Sequence, residues 1–258
     1  MEGTRPAAVA GLFYPGRADA LSATLEDLLG AAFDSTARVD IVESRHTVFL
    51  NRGDRFEAHP LPRAAQRAPA LGLAAGDLDG DGFEDLVISE NFYSVRTGTP
   101  RYDAGRGLLL LGDGDGGFVA ATGMESGIEV YGDGRGVALA DFDLDGRIDV
   151  AIGVNGAATR LFHNERGRPG LRVRLVGRDA NPQAVGAAVW LVYADGAKGP
   201  VQEVRSGEGY WSRNEAVQTL GLRGTPVSLG VRWPGGEVAE YPIAPDTTEL
   251  TVRQSPGS

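Results

Sequence analysis

The chain has 258 residues, a formal net charge of −10, 42% apolar residues and no cysteine. The acidic balance, with no run of lysine and arginine, argues against a nucleic-acid partner, because phosphate binding needs a concentrated basic face. The missing cysteines exclude disulfides, thiolate metal sites and a cysteine nucleophile, and the 38 glycines and 14 prolines scattered between short apolar runs point to a mainly β protein rich in turns.

In chain order, MEGTRPAAVAGLFYPG has no basic start followed by a sustained apolar stretch, so it does not read as a signal peptide. Residues 18–32, ADALSATLEDLLGAA, place Leu21, Leu25, Leu28, Leu29 and Ala32 on one face and predict a helix, with Gly30 weakening its end. The run RPAAVAGLFYPG followed by this helix resembles the start of the Memo family, and residues 1–36 are expected to form a Memo-like N-terminal segment. That family resembles non-haem dioxygenases with histidines in a metal-binding cleft. The chain departs from it after about residue 36 and has only His46, His59 and His163, so no Memo activity or site carries over.

Residues 37–165 change to short strands between glycine and aspartate turns. HTVFLNRGDRFEAH reads as a hairpin, with Val48, Leu50 and Phe56 as apolar positions and Asn51–Arg55 as its turn. LGLAAGD and DLVISEN flank the acidic stretch GDLDGDGFEDL. A hairpin, GLLLLGDGDGGFVAAT, follows, and then GVALAD and DVAIGVN flank a second acidic stretch, ADFDLDGRIDV. TRLFHNERG begins a third hairpin-like segment. The two acidic loops start 64 residues apart, at Asp77 and Asp141, which marks a repeat architecture. The longest compact apolar run, LLLL at 108–111, is far below the roughly 18 residues needed to span a bilayer and reads as a buried strand.

Like charges packed this closely repel, and the spacing makes sense if a cation relieves the repulsion. Calcium takes about six to eight oxygen ligands in flexible geometry, which aspartates two residues apart supply when the chain curls around one point. In the first loop Asp77, Asp79 and Asp81 would give side-chain oxygens, Phe83 a backbone carbonyl and Asp85 a closing carboxylate. Asp141, Asp143, Asp145, the carbonyl of Arg147 and Asp149 take the same roles in the second. Gly82 and Gly146 permit the sharp turn. An EF-hand would need glutamate at the twelfth position and flanking helices. Ile88 and Ile152 stand there, and the flanks are β-like. The expectation is therefore two Ca2+ sites, with magnesium the weaker choice because it demands a stricter octahedron; the bland alternative is a pair of solvated acidic turns.

The strand–DxDxDGxxDL–strand unit followed by a hairpin resembles the FG-GAP or VCBS repeat of integrin-type β-propellers, over about residues 46–165. In that family the aspartate loop binds calcium within a blade, which implies the same ten residues. Two loops fall short of a closed propeller, so partial, propeller-like blades are expected. Residues 166–258 read as a second all-β unit. Asn164–Gly167, NPQAVGAAVWL at 181–191, SGEGYWSRNE at 206–215, TLGL at 219–222 and VRWPGGEV at 231–238 resemble the ASPIC/UnbV domain of cartilage acidic protein-like sequences. That resemblance implies an extracellular or periplasmic setting.

Other motifs have plainer readings. Gly112, Gly114 and Gly117 satisfy GxGxxG, but no helix follows and Asp113 and Asp115 would repel pyrophosphate, so a hairpin turn is expected. Arg52-Gly53-Asp54 spells the integrin-recognition tripeptide at a hairpin tip, where turn chemistry already explains it. Tyr210, Trp211 and Trp233 form either an aromatic platform for a glycan or apolar product, or part of the core. His163, with no GxSxG serine motif in the chain, reads as structural rather than as a general base. Together these features predict a calcium-binding interaction or recognition protein whose partner is a protein, a glycan or a small molecule, with homo-oligomerisation as a further option. The alternative is a calcium-dependent tailoring or cyclising enzyme of bacterial natural-product biosynthesis.

Overall fold

The computed structural model of the chain describes residues 24–35 and 41–255, and contacts divide it into two compact units, Met1–Ser44 and Arg45–Ser258. In the first, helix α1 (Leu25–Leu29) leads into a 3-10 turn, Gly30–Ala32. Thr24 caps it: its hydroxyl accepts from the Asp27 amide while the Asp27 carboxylate accepts from the Thr24 amide. Thr24 is extended, at φ −77 and ψ 167, so the helix expected from residue 18 does not run through this position. Residues 18–23, and the Memo-like run before them, lie outside the described residues.

Among the described residues the second unit holds sixteen strands in five sheets. The hairpin expected at its start is β1 (Thr47–Asn51) with β2 (Phe56–Pro60), in antiparallel register Thr47↔Pro60. Its tip carries Arg52-Gly53-Asp54, with Gly53 at φ 92. A four-stranded sheet follows in sequential order: β3 (Ala70–Gly76), β4 (Asp85–Glu90), β5 (Leu108–Gly112) and β6 (Phe118–Ala121). The glycines and aspartates of 112–117 form the β5–β6 turn, where the Asp113 carboxylate accepts from the amides of Asp115 and Gly117. After a short helix, α2 (Gly123–Ser126), a three-stranded sheet repeats the meander with β7 (Asp133–Ala140), β8 (Asp149–Asn155) and β9 (Arg160–Phe162). These are two propeller-like blades. One core joins them, with Ala74 and Val87 from the first blade and Val137, Leu139, Val150 and Ile152 from the second.

Beyond residue 170 the chain builds two further sheets. One is β13 (Gln218–Leu220), β10 (Leu171–Val176) and β16 (Glu249–Arg253); the other is β12 (Gln202–Glu203), β11 (Ala188–Tyr193), β14 (Pro226–Arg232) and β15 (Val238–Pro242). Alternate residues of each, including Leu171, Val173, Val189, Leu191, Leu229 and Val231, share a single core, as period-2 patterning requires. Trp233 lies in that core at 1% exposure, whereas Trp211 is 78% exposed and stacks on Tyr210 at 4.8 Å between centroids. Of the two readings, the core one holds for Trp233, while Tyr210 and Trp211 form an exposed pair. The reason is alternation: Trp233 continues the inward-facing set Leu229 and Val231, while Tyr210 and Trp211 sit in a loop.

That loop seals the edge of β7. The Ser212 hydroxyl accepts from the Val137 amide, the Asn214 side-chain oxygen from Leu139 and the Glu215 carboxylate from Asp141. Three side chains thus satisfy the alternate donors that a strand edge leaves open. Gly136 lets the loop come close, since a Cβ there would meet the Trp211 carbonyl oxygen at 2.3 Å. The two tryptophans differ in a measurable way: Trp233→Ala removes a fully buried ring and costs about 3–5 kcal/mol in urea unfolding, while Trp211→Ala stays within about 1 kcal/mol.

Candidate metal centre

Both acidic loops close a two-stranded turn in the same register. Gly76 pairs with Asp85 across β3–β4, and Ala140 with Asp149 across β7–β8. In the first loop the Asp77 carboxylate accepts from the amides of Gly80, Asp81 and Gly82 at 2.7–3.0 Å. Asp85 accepts from the Leu78 amide at 2.8 Å and, from β5, the Gly112 amide at 2.9 Å. Asp79 and Asp81 each accept an amide two residues on. Backbone donors thus curl the chain around its own carboxylates before any ion is considered.

The loop draws one ligand oxygen each from Asp77, Asp79 and Asp85 to within 4.8 Å of one another. Asp81 lies outside that trio. Phe83 donates its amide to Asp81, and its ring lies 5.2 Å from the Arg223 guanidinium. Among the described residues no lysine, arginine or histidine lies within ion-pair distance of these aspartates. Burial pushes the Asp77 carboxyl up to about 6 and that of Asp85 up to about 7, against an ordinary value of 3.8; it also raises Asp79, with the Asp81 charge adding to it. An all-oxygen set of this charge, bent around one point, with the Arg168 charge acting on Asp79 only from beyond ion-pair distance, fits a hard divalent cation.

The second loop repeats the backbone pattern with different neighbours. Asp141 accepts from the amides of Asp145 and Gly146, and Asp149 from those of Phe142 and Asn164. Asp141, Asp143 and Asp145 form one close group, and Asp143 and Asp149 form another with His163. The Arg172 Nε lies 2.6 Å from Asp141 Oδ2. This is an ion pair by distance, because its N–H is not aimed for a hydrogen bond. Arg147 Nη1 lies 2.5 Å from Asp145 Oδ2 and Nε donates to the Gly167 carbonyl. Burial opposes ionisation of Asp145, but the Arg147 amide and guanidinium together hold its carboxyl below the ordinary range. His163 Nδ1 stands 3.2 Å from Asp149 and 3.5 Å from Asp143.

A connector, residues 164–170, threads between the loops. The Asn164 side-chain amide donates to the carbonyls of Leu78 in the first loop and Ile148 in the second. Arg168 donates its amide to the Asp79 carbonyl, and Gly170 to that of Gly146. Sequence reasoning did not single out Arg172, which lies in the alternating run LRVRLVG and meets Asp141 only across a long sequence separation. It also missed Asn164, although HNERG directly follows β9.

The sign of the pH dependence follows from the raised carboxyls of Asp77 and Asp85. In metal-free protein their contribution to stability is fully present below 3.8 and is lost as pH rises through about 6 and 7. Asp85→Asn flattens that decline, at the cost of the backbone bonds accepted by one of its two carboxylate oxygens, as read by thermal unfolding in chelator across the range.

Residues 70–110 match the family model for the FG-GAP repeat, and residues 177–258 that for ASPIC and UnbV. The chain is 24% identical to cartilage acidic protein 1 of Xenopus tropicalis over 226 residues, covering 83% of this chain and 34% of that protein. The Mus musculus protein is likewise 24% identical, over 234 residues. Phosphatidylinositol-glycan-specific phospholipase D of Dictyostelium discoideum is 37% identical over 93 residues, 31% of this chain and 10% of that protein. The chain therefore spans about a third of the length of the cartilage acidic protein relatives and about a tenth of the phospholipase. It carries an FG-GAP repeat followed by an ASPIC and UnbV segment, and is homologous at modest identity to cartilage acidic protein 1.

Proposed function

We propose that the chain is a β-rich interaction protein in which calcium is a structural element of the first acidic loop, seating the repeat region (37–165) on the C-terminal β unit (166–258). The observation that carries this reading is the convergence of Asp77, Asp79 and Asp85 within 4.8 Å, with Asp77 and Asp85 buried, Asp79 half-buried and no basic nitrogen within ion-pair distance among the described residues. Asp77, Asp79, Asp81, the Phe83 carbonyl and Asp85 would hold the ion. Asp141, Asp143, Asp145, the Arg147 carbonyl and Asp149 offer the same donor types in the second loop. When bound, the ion supplies positive charge that cancels the repulsion among the carboxylates; no reaction step is assigned to it.

A structural role is favoured because the loops meet protein on their far side. A Cβ on Gly221 would lie 1.5 Å from Asp77 Oδ2, and one on Gly80 would lie 2.2 Å from the Arg168 carbonyl oxygen. Protein backbone therefore packs directly against the first loop at Asp77 and Gly80. Among the described residues no helix is long and apolar enough to cross a membrane. The recognition role is consistent with the FG-GAP and ASPIC/UnbV segments, and the partner is a protein, glycan or small molecule.

Dialysis against chelator lowers the melting temperature, and millimolar calcium restores it, by an amount equivalent to about 2.7 kcal/mol when calcium reaches a hundred times its dissociation constant. Asp79→Ala removes the calcium-dependent part. Magnesium restores less. A wild-type protein whose melting temperature ignores both chelator and calcium would sink the reading.

A further inference from the structure

The two loops share a sequence pattern and a backbone, but not their surroundings. Around the second, three basic side chains already stand where an ion would act. Arg172 reaches Asp141 at 2.6 Å, Arg147 reaches Asp145 at 2.5 Å, and His163 lies 3.2 Å from Asp149. Around the first, no basic group among the described residues comes within ion-pair distance of Asp77, Asp79, Asp81 or Asp85.

We infer that the loops are not equivalent: the first takes a divalent cation, whereas in the second the Arg172 guanidinium, helped by Arg147, supplies the positive charge, so the chain binds one ion rather than two. This rests on the calcium reading of the first loop and goes beyond it in assigning the second loop a protein-borne counter-charge.

Arg172 is not free to yield. It is buried, its amide donates to the Thr248 carbonyl, and Nη1 binds Glu249 Oε2 at 2.6 Å on the neighbouring strand β16. A guanidinium does not lose its proton in proteins. A dication sharing the Asp141 carboxylate with it would meet strong like-charge repulsion where water screens little. Swinging Arg172 away would also break its contact with Glu249 and leave the buried Asp141 carboxylate without a counter-charge. Asp141 is held from its other side too, since its own amide donates to Glu215 Oε1. The outcome is a chain of contacts, Asp141–Arg172–Glu249, buried at Asp141 and Arg172 and reaching solvent at Glu249, that ties the second blade to the C-terminal sandwich without an ion.

Calorimetric titration of metal-depleted full-length protein with calcium distinguishes the possibilities. Wild type is expected to bind one ion, Asp143→Asn in the second loop to keep it, and Asp79→Asn in the first to lose it. Asp143 is half exposed, so its variant tests the second loop without risking the fold. Arg172→Gln, once circular dichroism shows the fold retained, is expected to raise the count to two. Two ions in wild type, with one lost in Asp143→Asn, overturn the inference and leave the calcium reading intact; Arg172 would then support a ligating Asp141 from outside. A single ion lost in Asp143→Asn and kept in Asp79→Asn overturns it as well, as does a folded Arg172→Gln that still binds one. No heat in wild type overturns the calcium reading itself, and this inference with it.

Discussion

The connector at residues 164–170 constrains the rest of the structure. It runs between two clusters of buried carboxylates and bonds to both through its own backbone and the Asn164 amide. It fits because glycine stands at each point of closest approach: a Cβ on Gly167 would meet the Leu78 carbonyl oxygen at 2.3 Å, and one on Gly170 the Leu220 carbonyl oxygen at 2.5 Å. Blade and sandwich therefore meet backbone to backbone. The acidic loops are part of that joint rather than a surface ornament, and their electrostatics decide how firmly it closes.

The same turn is held together in two ways. In the first loop the left-handed positions are both glycine, Gly80 at φ 72 and Gly82 at φ 92. In the second, Leu144 takes φ 66 in the place of Gly80, and Gly146 keeps φ 84. A leucine in that region costs of order 1–3 kcal/mol and persists only where its surroundings over-determine it. Arg172, Arg147 and Glu215 provide that surplus of contacts. Among the described residues the first loop has no basic partner within ion-pair distance, and burial, with neighbouring aspartate charges adding to it, raises the carboxyls of Asp77 and Asp85.

The sequence made the β class, the β1–β2 and β5–β6 hairpins and the strand–loop–strand setting of both acidic stretches readable, because these depend on local patterns of alternation and turn chemistry. It was less informative wherever distant segments meet. Arg172 sits in an alternating strand and looks solvent-facing until β10 is placed beside the second blade. The segment SGEGYWSRNE carries a family resemblance but no local signal of its role; in the fold it is an irregular strap whose Ser212, Asn214 and Glu215 act as substitute strand partners. The helix expected from residue 18 was drawn through Thr24, whose capping role depends on Asp27 three residues later rather than on the apolar stripe.

The closeness of Gly221 to Asp77 also sets the order of assembly. As the chain emerges during synthesis, the first blade is complete well before β13 and the residues after it exist, so its buried carboxylates first meet water instead of the sandwich. The final contacts are of high sequence separation, and forming them late makes the joint the slow, vulnerable step of folding. An ion captured early by the first loop would let the blade wait in a native-like turn until the rest of the polypeptide arrives.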